Sequence, residues 1–345
     1  MATATDGPGD RAIVVGIGRY PRFGPDAASP NDLLGPVADA RDMADWLVDV
    51  AKAGVTLITS DGDGSENWTA EDLRPTETDI SATFDPFLLS AGARVANRLY
   101  VYFAGHGFAP DPRSRSLILA NALGTAKVPN FHAPAWIDWF ASQYHFDELV
   151  LWMDCCATQT FDYAAGVPPM PRTAARSGPP AKVFMAFGSG VGRSAFEGPI
   201  GPDNQVRGLF TDRLLRGLRG AAAHENGEVR SADLKKYLYN GSSGSGDAPV
   251  ERPVVEPVIP QDDDMLFATA PRGAVYSIAA RASNGTPLTD GSPVDLLDGR
   301  FDKIGEAPVA GGRVEFRLTP GLYKLSGPGL ERILDIGAGS PPRLD

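Results

Sequence analysis

Cysteine is scarce in this chain: 2 among 345 residues, Cys155 and Cys156, side by side. Sequence neighbours rarely reach disulfide geometry, so no disulfide framework is expected. A structural zinc site is disfavoured too, because its ligands come in spaced pairs. No run approaches the roughly 18 consecutive apolar residues that a membrane span needs. The opening residues, MATATDGPGD, lack the basic start and apolar core of a secretory signal. A cytoplasmic protein with no membrane partner is the expectation. Basic residues are outnumbered, 32 Lys and Arg against 43 Asp and Glu, for a net charge of −11 and a pI near 4.9. That balance argues against nucleic acid as a partner, since gripping phosphates takes a concentrated basic face. It suits attraction of cationic peptides.

Other absences narrow the chemistry. No Gly-x-Ser-x-Gly elbow and no phosphate-binding loop stands out. The acidic run Asp61–Glu66 has Glu66 where a calcium-binding loop needs glycine. Asp262, Asp263 and Asp264 read as a solvated turn. No metal site and no cofactor is therefore expected. Cysteine used in one place only is either a packed small hydrophobe or a nucleophile.

What is present alternates. Apolar runs at 12–17, 55–59, 99–103, 149–153 and 183–187 read as buried strands. Between and after them come helical patterns: from Pro36 to about Gly54, at 78–91, 135–144, 210–218 and 231–239. Strands without polar alternation, separated by helices, predict an α/β fold with a mainly parallel sheet flanked by helices. Residues 166–180 are proline-rich and read as a mobile loop. Residues 240–260 read as a lead-out containing an extended edge segment. From about Gly273 the segments are short and alternating, with Gly, Pro and Asp turns. These predict a small antiparallel β-sandwich. The division is 1–270 for the α/β domain and 271–345 for an Ig-like or transthyretin-like domain.

Two of the buried strands run straight into reactive residues. The first leads into Gly105-His106-Gly107, the second into Asp154-Cys155-Cys156. Sites on open parallel sheets form beyond the carboxyl ends of the strands. Neighbouring strands would bring His106 and a cysteine to one rim, where imidazole assists formation of a nucleophilic thiolate.

These motifs resemble the caspase-like cysteine peptidases of clan CD: caspases, paracaspases, metacaspases and the prokaryotic members of peptidase family C14. The 50-residue interval between His106 and Cys156 agrees with the caspase pattern. Ile13 to Ile17 followed by Tyr20, and Val37-Ala38-Asp39-Ala40 opening a helix, resemble the family's N-terminal third. Ala195-Phe196-Glu197 and Gly208-Leu209-Phe210-Thr211 resemble its C-terminal third. The likeness spans about residues 10 to 270.

The resemblance implies a caspase-like fold and a cysteine endopeptidase acting on a protein substrate. His106 is then general base and acid, and Cys156, last in an Asp-x-Cys motif, is the nucleophile. The backbone N–H groups of Gly107 and Cys156 form the oxyanion hole. Asp39, Asp154 and Glu197 line the first substrate pocket, as acids do in paracaspases and metacaspases, so cleavage falls after Arg, or Lys. Arg172 and Arg176 are the self-cleavage candidates. Relatives suggest a stress, cell-death or anti-phage role, and some need calcium. A recruiting or regulatory partner of the C-terminal domain is expected. The alternative is a catalytically silent scaffold or signalling module on the same fold.

Overall fold

The computed structural model describes residues 9–24, 31–62, 72–89, 94–111, 114–124, 127–157, 181–190, 192, 194–200, 205–224, 227–240, 254–258, 265–269, 274–299, 301–318, 321–336 and 343–344. They fall into two compact units. One is Met1–Asp212 with Glu251–Asp262, the other Arg213–Val250 with Asp263–Asp345.

The first unit opens with β1 (Arg11–Gly16), α1 (Pro36–Asp49) and β2 (Gly54–Thr59). Val14 and Val15 point to opposite faces of β1 and are both fully buried, as a strand covered on two sides requires. Pro36 sits in the first turn of α1, where its missing N–H costs nothing. Ala40, Met43, Ala44 and Leu47 form the buried stripe of this helix at helical spacing. Asp39 lies in its first turn and is buried with them.

Next come α2 (Glu77–Ser81) and α3 (Asp85–Leu88). The pattern at 78–91 predicts one helix; the structure has two short ones. Thr76 and Asp79 form a reciprocal capping box that starts the first. Pro86 breaks continuity, because its ring cannot donate and collides with the carbonyl four residues back.

The centre of the sheet follows: β3 (Ala96–Gly105), then a small antiparallel patch of β4 (Gly107–Phe108), β5 (Ser116–Ile118) and β6 (Asn130–Phe131). The chain continues with α4 (Ala133–Gln143), β7 (Phe146–Cys155), β8 (Lys182–Phe187), the hairpin β9 (Glu197–Ile200) and β10 (Gln205–Gly208), and α5 (Leu209–Arg216). Trp136 and Phe140 of α4 stack with Phe84 and hold the helix to the sheet's aromatic core. The predicted helix at 210–218 changes pitch at Gly217, where a π-helical turn runs to Ala221.

Beyond it lie β11 (Glu228–Arg230) and α6 (Ser231–Asn240), and then β12 (Val254–Val258). β12 joins the main sheet, whose order is β12-β8-β7-β3-β1-β2. The five strands from β8 to β2 pair in parallel, and β12 is antiparallel on the β8 edge.

In the second unit β13 (Leu266–Thr269) pairs with β11. The same unit holds α6, and its remaining strands are antiparallel: β14 (Ala274–Ala279), β15 (Pro293–Asp298), β16 (Lys303–Pro308), β17 (Arg313–Leu318), β18 (Gly321–Gly327), β19 (Leu330–Ile336) and β20 (Arg343–Leu344). Strand β17 alternates strictly, with Val314, Phe316 and Leu318 inward. Strands β14 and β17 pair as one sheet and β16-β15-β18-β19-β20 as another. Ile278, Leu296, Phe316, Leu325 and Leu334 belong to the core they share. No helix among the described residues is long and apolar enough to cross a membrane.

Candidate active site

Strands β3 and β7 are parallel neighbours with Gly105 opposite Cys155, so His106 and Cys156 leave adjacent strand ends on one rim. Tight packing enforces this closeness. Gly105 has φ +151°, a backbone that side chains disfavour. A Cβ on Gly107 would fall 2.7 Å from both Cys155 Cβ and Cys156 O. The close approach of Cys155 and Cys156 therefore leaves no room for a side chain at Gly107.

The imidazole is held on several sides. His106 Nε2 is 2.7 Å from the carbonyl oxygen of Asn31. A carbonyl only accepts, so Nε2 carries the proton and Nδ1 is left as the basic nitrogen. The ring meets Tyr20 and Phe23 edge-on, with centroids 4.7 and 5.6 Å away. The Tyr20 hydroxyl accepts from the backbone N–H of His106 at 2.9 Å and donates to Ile118 O at 3.2 Å. Burial lowers the imidazole pKa below its ordinary value, against the Asn31 carbonyl and the charges of Glu197 and Asp32. The shift favours the neutral ring.

The Cys156 thiol is half-buried, and burial pushes its pKa up, with the Asp154 charge adding to the rise. Its partners among the described residues are the Ala195 carbonyl at 3.8 Å and the Ser194 side chain, not the imidazole. Both shifts favour the uncharged forms of the thiol and the imidazole. Cys155 is buried, with its thiol 3.8 Å from Phe103 O inside the sheet, and burial drives its pKa far up.

Beside the thiol lies a small cavity whose lining includes Cys156, Asp39, Asp154, Phe196, Glu197 and Gly208. All three acids proposed from the sequence reach it. Asp154, at the end of β7, accepts from the N–H and hydroxyl of Thr211 at 3.1 and 2.7 Å, both on Oδ2. Tyr102 in turn hydrogen-bonds the Thr211 hydroxyl at 2.6 Å. Asp39 accepts from Gly208 N–H at 2.8 Å through Oδ2. Its Oδ1 is buried with no hydrogen-bond partner among the described residues. Glu197 accepts from the N–H groups of Leu34 and Gly35, at 3.2 and 2.9 Å, ahead of α1.

Gly208 is the point on which two carboxylates converge. A Cβ there would run into Asp154 Oδ2 and stand 3.0 Å from Asp39 Oδ2. Two acids in one buried space oppose each other's ionisation. Desolvation, then the Asp154 charge, raises Asp39 to about 8, against the Gly208 hydrogen bond and Arg207. Desolvation raises Asp154 to about 6, against its two bonds from Thr211. Burial in this cavity therefore disfavours ionisation of both acids.

Arg172 and Arg176 lie outside the described residues. Among the described residues no group of three or more His, Cys, Asp or Glu is arranged to hold a metal. Asn31 carries no signal in the sequence, because it acts through a backbone carbonyl that any residue possesses. Tyr20 and Thr211 did stand in segments that resemble the family, and an aromatic residue just after the first strand was the available signal for Tyr20.

The family model for the caspase domain matches residues 10–238. A relative from a Desulfuromonadales bacterium, named a probable protease, is 26% identical over 243 residues. That match takes in 66% of this chain and 27% of the relative, so the chain spans about a quarter of that protein's length. The crystal structure of caspase-1 from Spodoptera frugiperda aligns with a TM-score of 0.44 at 13% identity, over 74% of this chain and 88% of that one.

Proposed function

The chain belongs to the caspase-domain family, and from that premise we propose that it is a cysteine endopeptidase hydrolysing protein substrates after arginine, with lysine second. His106 Nδ1 takes the thiol proton as Cys156 Sγ attacks the scissile carbonyl. The oxyanion is met by the backbone N–H groups of Gly107 and Cys156. The imidazolium then returns the proton to the leaving amine, and water hydrolyses the thioester. No metal or cofactor enters these steps.

One observation carries the specificity. Asp39 Oδ1 is buried and lacks a hydrogen-bond donor among the described residues, in a cavity that it shares with Asp154 and the nucleophile. A buried acceptor without a partner is costly and rare. A guanidinium supplies donors in a planar fork and also the positive charge that lets both acids ionise. An ammonium supplies the charge with less directional fit. An aspartate side chain would meet three carboxylates.

The catalytic domain in this reading is residues 1–270. The β-domain, 271–345, recruits a substrate or regulator. Self-cleavage after Arg172 or Arg176 and a cytoplasmic stress, cell-death or anti-phage role belong to the same proposal. Calcium dependence is settled by assaying with chelator.

The competing reading, a silent scaffold, draws on the thiol pairing with Ala195 rather than with the imidazole. Peptides differing only in Arg, Lys or Asp before the fluorophore separate the two, assayed with the wild type and Cys156→Ala. Cleavage ordered Arg, Lys, then none for Asp, and abolished by Cys156→Ala, is the expected result. Cleavage after Asp alone would sink the pocket assignment, and inertness of the wild type towards every peptide favours the scaffold.

A further inference from the structure

The chain carries a cation of its own beside the acidic cavity. Arg207 is the next-to-last residue of β10, and its neighbour Gly208 donates to Asp39 Oδ2. The Arg207 side chain is 18% exposed and does not line the cavity. Its Nε is 3.9 Å from Asp39 Oδ1, the oxygen without a hydrogen bond among the described residues, and 3.1 Å from Asp42 Oδ2 one turn further along α1. One dipeptide of β10 thus addresses both oxygens of Asp39: Gly208 with a hydrogen bond, Arg207 with charge from behind.

We propose that Arg207 is a positioning residue for substrate specificity, which sets how far Asp39 is available as an anion when a basic side chain enters the cavity. The proposal rests on the reading of that cavity as the pocket for arginine or lysine. Arg207 touches neither the thiol nor the imidazole, so its influence falls on substrate binding and not on bond cleavage.

The charges facing Asp39 come from every element around it. Asp154 faces it from β7, Asp42 lies on its own helix, Glu197 shares the cavity from β9, and the Tyr102 phenol feels it from β3. Against these stands Arg207 from β10. A neighbouring cation favours the charged form of a carboxylate, and its removal raises the pKa. At fixed pH the variant therefore presents less anion to a substrate guanidinium. The loss is made good as pH rises through the new, higher midpoint.

The test has two arms. In the first, the full chain is labelled with carboxyl-13C aspartate, and the Asp39 signal, assigned by its absence in Asp39→Asn, is titrated by NMR. Arg207→Gln should move the midpoint up by about one pH unit. Arg207→Lys should restore most of it, and Asp42→Asn should move it down, since Asp42 opposes ionisation of Asp39. In the second arm, KM and kcat are followed from pH 6 to 9 with an arginyl peptide. Arg207→Gln should raise KM about tenfold near pH 7.5 with kcat unchanged, and KM should recover at pH 9. A mere clamp between β10 and α1 predicts something else: Arg207→Gln and Asp42→Asn would act alike and independently of pH. That outcome, or an unmoved Asp39 midpoint, overturns the proposal. The first arm needs no turnover, so it decides the role of Arg207 even if the wild type proves not to cut after arginine.

Discussion

Gly208→Ala probes the pocket at its tightest point. The new methyl group would collide with Asp154 Oδ2 and press on Asp39 Oδ2. The backbone cannot simply retreat. Gly208 N–H is bonded to Asp39 at 2.8 Å, and the residue pairs with Glu197 across the β9–β10 hairpin. Relief comes from Asp154 swinging off Thr211, which forfeits two hydrogen bonds to a buried carboxyl group. Such bonds contribute about 1.5–3 kcal/mol each when the acceptor is charged. Asp154, raised to about 6, is ionised at the assay pH of 8, and the lower end of that range serves as a floor. The sum is about 3 kcal/mol of lost recognition, or roughly two decades in kcat/KM for an arginyl peptide. The assay is steady-state hydrolysis at pH 8, normalised to folded protein by alkylation of Cys156. A variant within threefold of wild type would refute the convergence of the two acids on Gly208.

Two further predictions concern the dyad. Tyr20→Phe leaves the His106 N–H and the Ile118 carbonyl without the hydroxyl that bridges them. About 1–3 kcal/mol of stability should go, with kcat lowered about tenfold and KM intact; wild-type Tm and kcat in the variant would remove Tyr20 from the histidine's support. Because burial raises the Cys156 thiol, iodoacetamide should label the free protein slowly at pH 7, climbing about tenfold per pH unit to beyond pH 9. A rate already flat between pH 6 and 8 would mean a preformed thiolate–imidazolium pair instead.

The strand and helix order was legible because each buried strand is a plain apolar run and each helix repeats its apolar stripe. The exceptions have local causes. Pro86 divides a helix that the periodicity alone would continue. Gly220, with φ +126°, lies within the π-helical turn that follows α5. The β9–β10 hairpin is not marked by any apolar run, because its strands are short, yet it supplies Glu197 and Gly208 to the pocket and sets Arg207 beside Asp39.

The sequence by itself determined which chemical groups are available and at which end of the sheet they emerge: an imidazole after β3, a thiol after β7, and acids beside them. That information is local, carried by a few residues next to an apolar run. Which groups finally meet was decided by tertiary structure. Asp39 and Gly208 are 169 positions apart and share one hydrogen bond. The ring of His106 is oriented by the backbone of Asn31, 75 residues earlier. Contacts over such distances depend on sheet register and loop path, and a backbone carbonyl leaves no mark in the one-dimensional text. The charge state of Asp39 follows from burial beside Asp154, a property that neither residue has until the chain has folded.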